Sequence, residues 1–274
     1  MKILRLRSYF DPERVAASHL ITDLDEAFAN AGFHSVNITP TPCRGISKEE
    51  RKRYAKIKYE ISYDGVQEVY RFSMFKEGKN PLQRALRYIL CGIIEYFKGT
   101  SFKDIDLIYA SSTPPTQGLL AAMVANKLSK KTKKIIPFVY NLQDVFPDSL
   151  VTTGLTHKGS LIWRVGRKIE DYTYRNASHI VTISNSMKRN LIHKGVAPDK
   201  ITVVSNWIDL GNVKPVPRTE NRIIKEYSIN TDKFLVVYAG NLGAAQGAEV
   251  IVETAKLLSY ENRIHIVVFG GGSN

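Results

Sequence analysis

Cysteine is scarce: Cys43 and Cys91 are the only two in 274 residues. That number argues against a disulfide-stapled scaffold and for a reducing compartment, so a cytoplasmic protein is expected. The six histidines are scattered, and neither they nor the cysteines show metal-ligand spacing. No metal is expected. No run of about 18 apolar residues exists, so no segment reads as a membrane-spanning helix. The opening Met1-Lys2-Ile3-Leu4-Arg5-Leu6-Arg7 alternates apolar with basic residues and reads as a strand, not a signal peptide. The loop after it, Ser8-Tyr9-Phe10-Asp11-Pro12-Glu13, holds no glycine. A nicotinamide or flavin dehydrogenase would need GxGxxG there to bring backbone against a pyrophosphate, so its absence argues strongly against that class. No internal repeat is present.

Hydrophobic residues make up 43% of the chain, enough for a packed core, and the net charge is +13. The basic clusters at 48–53 and 130–134 read as solvated surface or as a face for an anionic partner such as a membrane. No basic helix interleaved with aromatics accompanies them, so nucleic acid is not an expected partner.

Apolar runs of strand length alternate with helical patterns. Strands are expected at 3–6, 34–38, 105–110, 135–140, 179–183 and 201–204, and helices at 14–31, 119–128, 161–174 and 186–193. A long, less regular insert precedes 105. Within it, 80–98 is a helix with Leu82, Leu86, Ile89, Leu90, Ile93 and Ile94 apolar and Arg84, Arg87 and Lys98 basic. It is either buried on the sheet or laid on a membrane surface. This alternation implies a parallel α/β sheet with helices on both faces. Residues 1–210 form one domain, 211–230 a Pro-interrupted linker, and 231–274 begin a second domain: strand 234–239, glycine-containing loop 240–247, helix 248–258, strand 264–269. One strand-helix-strand unit cannot cover both faces of its sheet, so the second domain is expected to be incomplete.

Parallel sheets bind ligands beyond the carboxyl ends of their strands. Tyr9 and Phe10 either line an acceptor pocket or pack under the next helix. The segment Ser111-Ser112-Thr113-Pro114-Pro115-Thr116-Gln117-Gly118 suits a sugar hydroxyl or an anion, or is an ordinary cap. Asn141-Leu142-Gln143-Asp144-Val145-Phe146-Pro147-Asp148 sets four polar side chains at the mouth of a buried strand, more than capping requires. Ser205-Asn206-Trp207-Ile208-Asp209 lies at the domain junction, as a ligand-facing segment or as a hinge. The loop Gly240-Asn241-Leu242-Gly243-Ala244-Ala245-Gln246-Gly247 follows a strand and opens a helix, whose amides and dipole could hold a diphosphate. It is not a GxxxxGK[ST] loop. Two Asp-x-Asp triplets are not read as metal sites: Asp23 and Asp25 are expected to be solvated on a helix whose Leu20, Leu24 and Phe28 face the core, and Asp104 and Asp106 lie at the wrong end of a strand.

Taken in order, the segments starting at Tyr9, Asn141, Ile183, Ser205 and Tyr238 resemble family 4 glycosyltransferases, in texture the WbuB-like subgroup of bacterial surface-polysaccharide synthesis. The resemblance implies a GT-B fold of two Rossmann-like domains, here a complete N-terminal one and the first strand-helix-strand of the second. It implies retaining, metal-independent hexosyl transfer from a nucleoside-diphosphate sugar to an oligosaccharide or polyprenyl-diphosphate-linked acceptor. Capsule, exopolysaccharide or O-antigen synthesis is the expected setting, with the enzyme peripheral on the inner face of the cell membrane. It assigns Asp144 a catalytic role, places Tyr9, Phe10, Glu13, Ser112, Thr113 and Gln143 on the acceptor side, and places Gly240, Asn241, Gly243, Gln246 and Gly247 against the donor diphosphate. Asn206, Trp207 and Asp209 would stand between the domains. Many family members carry Arg and Lys where Asn241 and Gln246 stand, and the first loop has Arg14-Val15-Ala16-Ala17 in place of glycines. The family's paired donor-binding glutamates would fall after Asn274, so the chain is expected to transfer little or no sugar alone. The alternative is a non-catalytic acceptor-binding or assembly subunit working with a separate donor domain.

Overall fold

The computed structural model describes residues 1–14, 18–78, 80–211, 213–242 and 246–272. The chain divides into two compact units, Met1–Ser149 with Thr156–Ile208, and Leu150–Leu155 with Asp209–Asn274.

In the first unit β1 (Lys2–Leu6) leads through α1 (Ser18–Asn30) to β2 (His34–Pro40). The segment expected to be less regular folds into α2 (Lys48–Tyr54), β3 (Tyr59–Ser62), β4 (Gln67–Phe72) and α3 (Pro81–Gly99). Then follow β5 (Leu107–Ser111), α4 (Gln117–Thr132), β6 (Phe138–Leu142), α5 (Asp148–Thr152, of which residues 150–152 belong to the second unit), α6 (Leu161–Asn176), β7 (His179–Thr182), α7 (Asn185–His193) and β8 (Ile201–Val203). The strands form one sheet in the order β3-β4-β2-β1-β5-β6-β7-β8. Every pairing is parallel except β3 with β4, so the edge strand runs against the rest. The strand order reverses at β1. A crevice therefore opens beyond the carboxyl ends of β1 and β5, where open α/β sheets take ligands.

Alternation along the strands divides the sheet into unlike faces. Leu4 pairs with Val36 and Ile108, and these join Phe138, Tyr140 and Ile180 in an apolar core. Small residues of α4, Ala121, Ala122 and Ala125, close over it. A Cβ on Gly118 would stand 2.8 Å from the Tyr140 ring, so glycine permits that approach. The other face is polar where it crosses β1, β2 and β4: Arg5 pairs with Asn37, Thr39 with Arg71, and Ser35 with Gln67, all buried.

Asp25 is buried rather than solvated, and both Arg5 and Arg7 donate to its carboxylate, Arg7 Nη1 at 3.1 Å from Oδ2. Arg5 on β1 and Arg7 just after it carry two guanidiniums inward that require a counter-ion, and α1 supplies it. Leu20, Leu24 and Phe28 are only half-buried.

In the second unit α8 (Arg222–Glu226), β9 (Phe234–Leu242), α9 (Ala248–Leu257) and β10 (Ile264–Gly272) follow, and β9 pairs with β10 in parallel. β9 runs through Gly240 and Asn241, past the expected end of the strand. Gly240 faces Gly270, where a Cβ would stand 2.1 Å from the Gly240 carbonyl oxygen, so only glycine lets the pairing continue.

Candidate functional site

The sequence-predicted residues of the first unit gather at the carboxyl ends of β1, β5 and β6. After β6, the Ser112 hydroxyl accepts from the backbone N–H of Gln143 at 3.0 Å and of Asp144 at 3.2 Å. Ser112 is buried, so it positions this loop rather than presenting itself to solvent. The far end is pinned as well: Asp148 pairs with Lys194 at 2.8 Å and accepts from Asn190 at 3.3 Å. Between the two anchors the Asp144 side chain is exposed. Gln143 is half-buried and donates to Asn141 Oδ1 at 2.9 Å, and Thr113 is exposed beside them.

The loop after β1 is built from its own polar groups. Glu13 is buried and accepts from the N–H groups of Phe10 at 3.1 Å, Cys43 at 2.7 Å and Arg44 at 3.0 Å. It ties this loop to the segment after β2. Phe10 is buried, with the Arg7 guanidinium 4.8 Å from its ring centre. Tyr9 is half-buried: its hydroxyl donates to Glu77 at 2.8 Å and lies 3.0 Å from that of Tyr88, while Arg44 covers its ring at 4.4 Å. Burial pushes the Glu77 carboxyl up, but the bonds from Arg44 and Tyr9 and the charge of Arg84 outweigh it and hold it at about 2. Tyr9 and Phe10 thus both pack and line space: they border a cavity of about 440 Å³ between α1 and β3–β4.

Sequence reasoning missed the network behind that loop. Ser8 donates to Gln117 at 3.5 Å, and Gln117 donates to Glu95 of α3 at 2.7 Å. Glu95 is fully buried, and desolvation raises its carboxyl to about 8 against the pull of Gln117 and Arg87. Arg87, one of the basic residues of this helix, is wholly buried and donates to the Phe75 carbonyl at 3.1 Å. The available signal was the spacing of Arg87, Cys91 and Glu95, a single helical stripe. With that stripe inward, α3 turns Leu82, Leu86, Ile89, Leu90, Ile93 and Phe97 to solvent, Leu82 at 80% and Phe97 at 69% exposure.

In the second unit Gly240 and Asn241 lie among the last residues of β9, before Leu242, Asn241 donates to Gln246 at 3.2 Å, and Gly247, at φ 59°, caps α9. Gly243 lies outside the described residues. Asn206 is exposed; the Trp207 indole donates to Asp23 at 2.7 Å, and its carbonyl lies 2.9 Å from a His19 ring nitrogen. Asp209 accepts from the Gly211 N–H at 2.7 Å. Of the second triplet, Asp104 pairs with Lys2 at 2.9 Å and Asp106 with Lys134 at 2.8 Å.

Known proteins resemble this chain in both sequence and fold. A protein of Escherichia coli (strain K12) named as a colanic acid biosynthesis glycosyl transferase, WcaI, is 28% identical over 137 residues, 49% of this chain and 34% of the relative. A glycosyltransferase named WbjE of Pseudomonas aeruginosa is 31% identical over 126 residues, 45% of this chain and 31% of the relative. The matched stretches thus span about a third of these relatives. Among solved structures, Anabaena HepE in complex with UDP and glucose matches at a TM-score of 0.52 and 17% identity, over 98% of this chain and 69% of its own. The sucrose-phosphate synthase of Thermosynechococcus elongatus matches at 0.56 and 11%, over 98% and 70%. These likenesses establish a GT-B fold class. The sequence model of Glycosyltransferase Family 4 matches residues 17–212, well over half the chain. On that match, the chain belongs to the family 4 glycosyltransferases.

Proposed function

We propose that this protein works on the acceptor side of sugar transfer from a nucleoside-diphosphate sugar to a polyprenyl-diphosphate-linked sugar at an anionic membrane surface, in surface-polysaccharide synthesis. The observation that carries this reading is the outward apolar face of α3. A helix that buries Arg87 and Glu95 and exposes Leu82, Leu86, Ile93 and Phe97 is suited to lipid, not water. Lys98 lies at its end, and Lys131 donates to the Thr100 carbonyl there at 2.8 Å, so cations adjoin the apolar face. That combination fits an anionic bilayer, where a lipid-linked acceptor resides. The UDP and glucose bound by HepE support a nucleotide sugar as donor.

Transfer retains configuration and uses no metal. The bond from the sugar's anomeric carbon to the diphosphate breaks as the acceptor oxygen bonds on the same face, and the acceptor proton passes to the leaving diphosphate. Asp144 steadies the positive charge at the anomeric carbon. The test combines the protein, joined to a family 4 donor-binding domain, with a polyprenyl-diphosphate sugar in phosphatidylglycerol vesicles and a panel of UDP- and GDP-sugars. Transfer that needs the vesicles and falls by about 10²-fold in Asp144→Asn supports the reading. Transfer at full rate by Asp144→Asn refutes the role of Asp144.

A further inference from the structure

The cavity between α1 and the β3–β4 edge carries chemistry at odds with the rest of the surface. The protein has a net charge of +13, yet no Lys, Arg or His is among the described residues lining this cavity. Four carboxylates line it instead, and three already have partners. Glu13 holds backbone N–H groups, Asp25 holds Arg5 and Arg7, and Glu60 accepts from Arg71 Nε at 2.8 Å. The fourth, Asp11, is exposed and makes no side-chain hydrogen bond or ion pair among the described residues. Hydroxyls of Thr22 and Ser62 join it. Thr22 donates to the Ser18 carbonyl at 3.3 Å and Ser62 to Gln67 at 2.7 Å, so both keep oxygen lone pairs for a donor from elsewhere. Aromatic walls come from Tyr9 and Tyr63. Tyr63 sits on a left-handed turn, φ 50°, and is 36% exposed. Its phenol is held up by burial and then by the charges of Asp25, Glu26 and Asp11, which places it in the same acidic surroundings.

The Asp11 carboxylate, which has no cation partner among the described residues, disfavours phosphate and carboxylate, while the acceptor oxygens, hydroxyls and aromatic faces suit a ligand rich in hydroxyl donors with apolar ring faces. The volume, about 440 Å³, lies within the range of about 300–1,000 Å³ typical of small-molecule sites. We propose that this cavity binds a neutral sugar ring of the acceptor glycan and rejects anionic sugars, with Asp11, Thr22, Ser62 and Tyr63 as the residues that set this preference. As an acceptor subsite it rests on the transfer reading above; as a sugar site it stands on the cavity alone.

The test is saturation-transfer NMR on the full chain with N-acetylglucosamine, glucose and glucuronic acid as separate probes. The neutral sugars are expected to receive saturation and glucuronic acid not. Two variants keep the result independent of folding. Tyr63→Asn removes the ring while tolerating the left-handed backbone, and Thr22→Arg sets a long cation into the cavity from the exposed side of α1. Each should weaken neutral-sugar binding on the order of tenfold with an unchanged circular dichroism spectrum. Absence of saturation on both neutral sugars, equal saturation on glucuronic acid, or wild-type binding by both variants would overturn the assignment. Sugar binding here with no transfer in the vesicle assay would overturn the acceptor reading and leave the cavity assigned; transfer without sugar binding would do the reverse.

Discussion

Glu95 and Glu77 show how two carboxyls of one type acquire opposite roles from their surroundings. Glu95 is fully buried, and its carboxyl is raised from 4.5 to about 8. The folded protein therefore keeps a proton that the unfolded chain has lost. Between pH 4.5 and about 8 stability falls as pH rises, by on the order of 5 kcal/mol at most. Glu77 is lowered from 4.5 to about 2, so its contribution is present above 4.5 and is lost as pH falls toward 2. Together they set the stability maximum of this region near the ordinary carboxylate range. Glu95→Gln keeps an oxygen for the Gln117 amide and removes the titration. Its urea midpoint should match the wild type near pH 5 and exceed it at pH 8; identical midpoints at both pH values would show that Glu95 does not titrate in this window. Ser112 gives the second residue-scale prediction. Its oxygen holds two backbone N–H groups beside Asp144, so Ser112→Ala should leave both unsatisfied and cost about 1–3 kcal/mol in urea unfolding. Ser112→Thr keeps the oxygen and should cost less.

Whole elements were legible in the sequence where one face was buried and periodic. β1, β2, β5, β6 and β7 fall where runs such as Ile3, Leu4 and Leu6 place them, because central parallel strands are buried on both faces. The β3–β4 pair was not legible. Tyr59 and Ile61 alternate with Glu60 and Ser62, but the strand is four residues long and both apolar side chains are exposed, so the alternation is too short to read as a strand. The position of α3 was readable but not its rotation. Its apolar stripe and its charged stripe are both regular, and only Gln117 and the Phe75 carbonyl, distant in sequence, show that the charged one is inside. The same gap hid Asp25, whose partners Arg5 and Arg7 lie on another element. The rotation of α3 makes a direct prediction. Leu86→Asp and Ile93→Asp change exposed positions, so the urea midpoint should move little. Each should nevertheless weaken co-sedimentation with phosphatidylglycerol vesicles on the order of tenfold. Unchanged vesicle binding with a lowered midpoint would mean that this face packs against protein instead.

At the scale of the molecule, the two units differ in how they close a core. The buried apolar cluster of the first runs from Leu4 to Ile201 and draws on β1, β2, β5, β6, β7, β8, α3 and α4. In the second, among the described residues, Phe234, Val237, Val250 and Leu257 remain largely exposed on the parallel pair β9–β10 and the helix α9, with only the short α8 besides. A two-stranded sheet covered on so little of its surface is marginal by itself, whereas eight strands bearing helices on both faces are not. Residues 1–208 expressed alone should therefore unfold in urea in one cooperative transition, with near-ultraviolet circular dichroism from Tyr140 and Tyr174 retained before it. Residues 209–274 alone should show no cooperative transition. The reasoning turns on where apolar area is removed from water: that area sits in the first unit, so the free-energy gap does too. A broad, shallow transition for 1–208 would show that its sheet depends on residues after Ile208 in a way that its own core does not reveal.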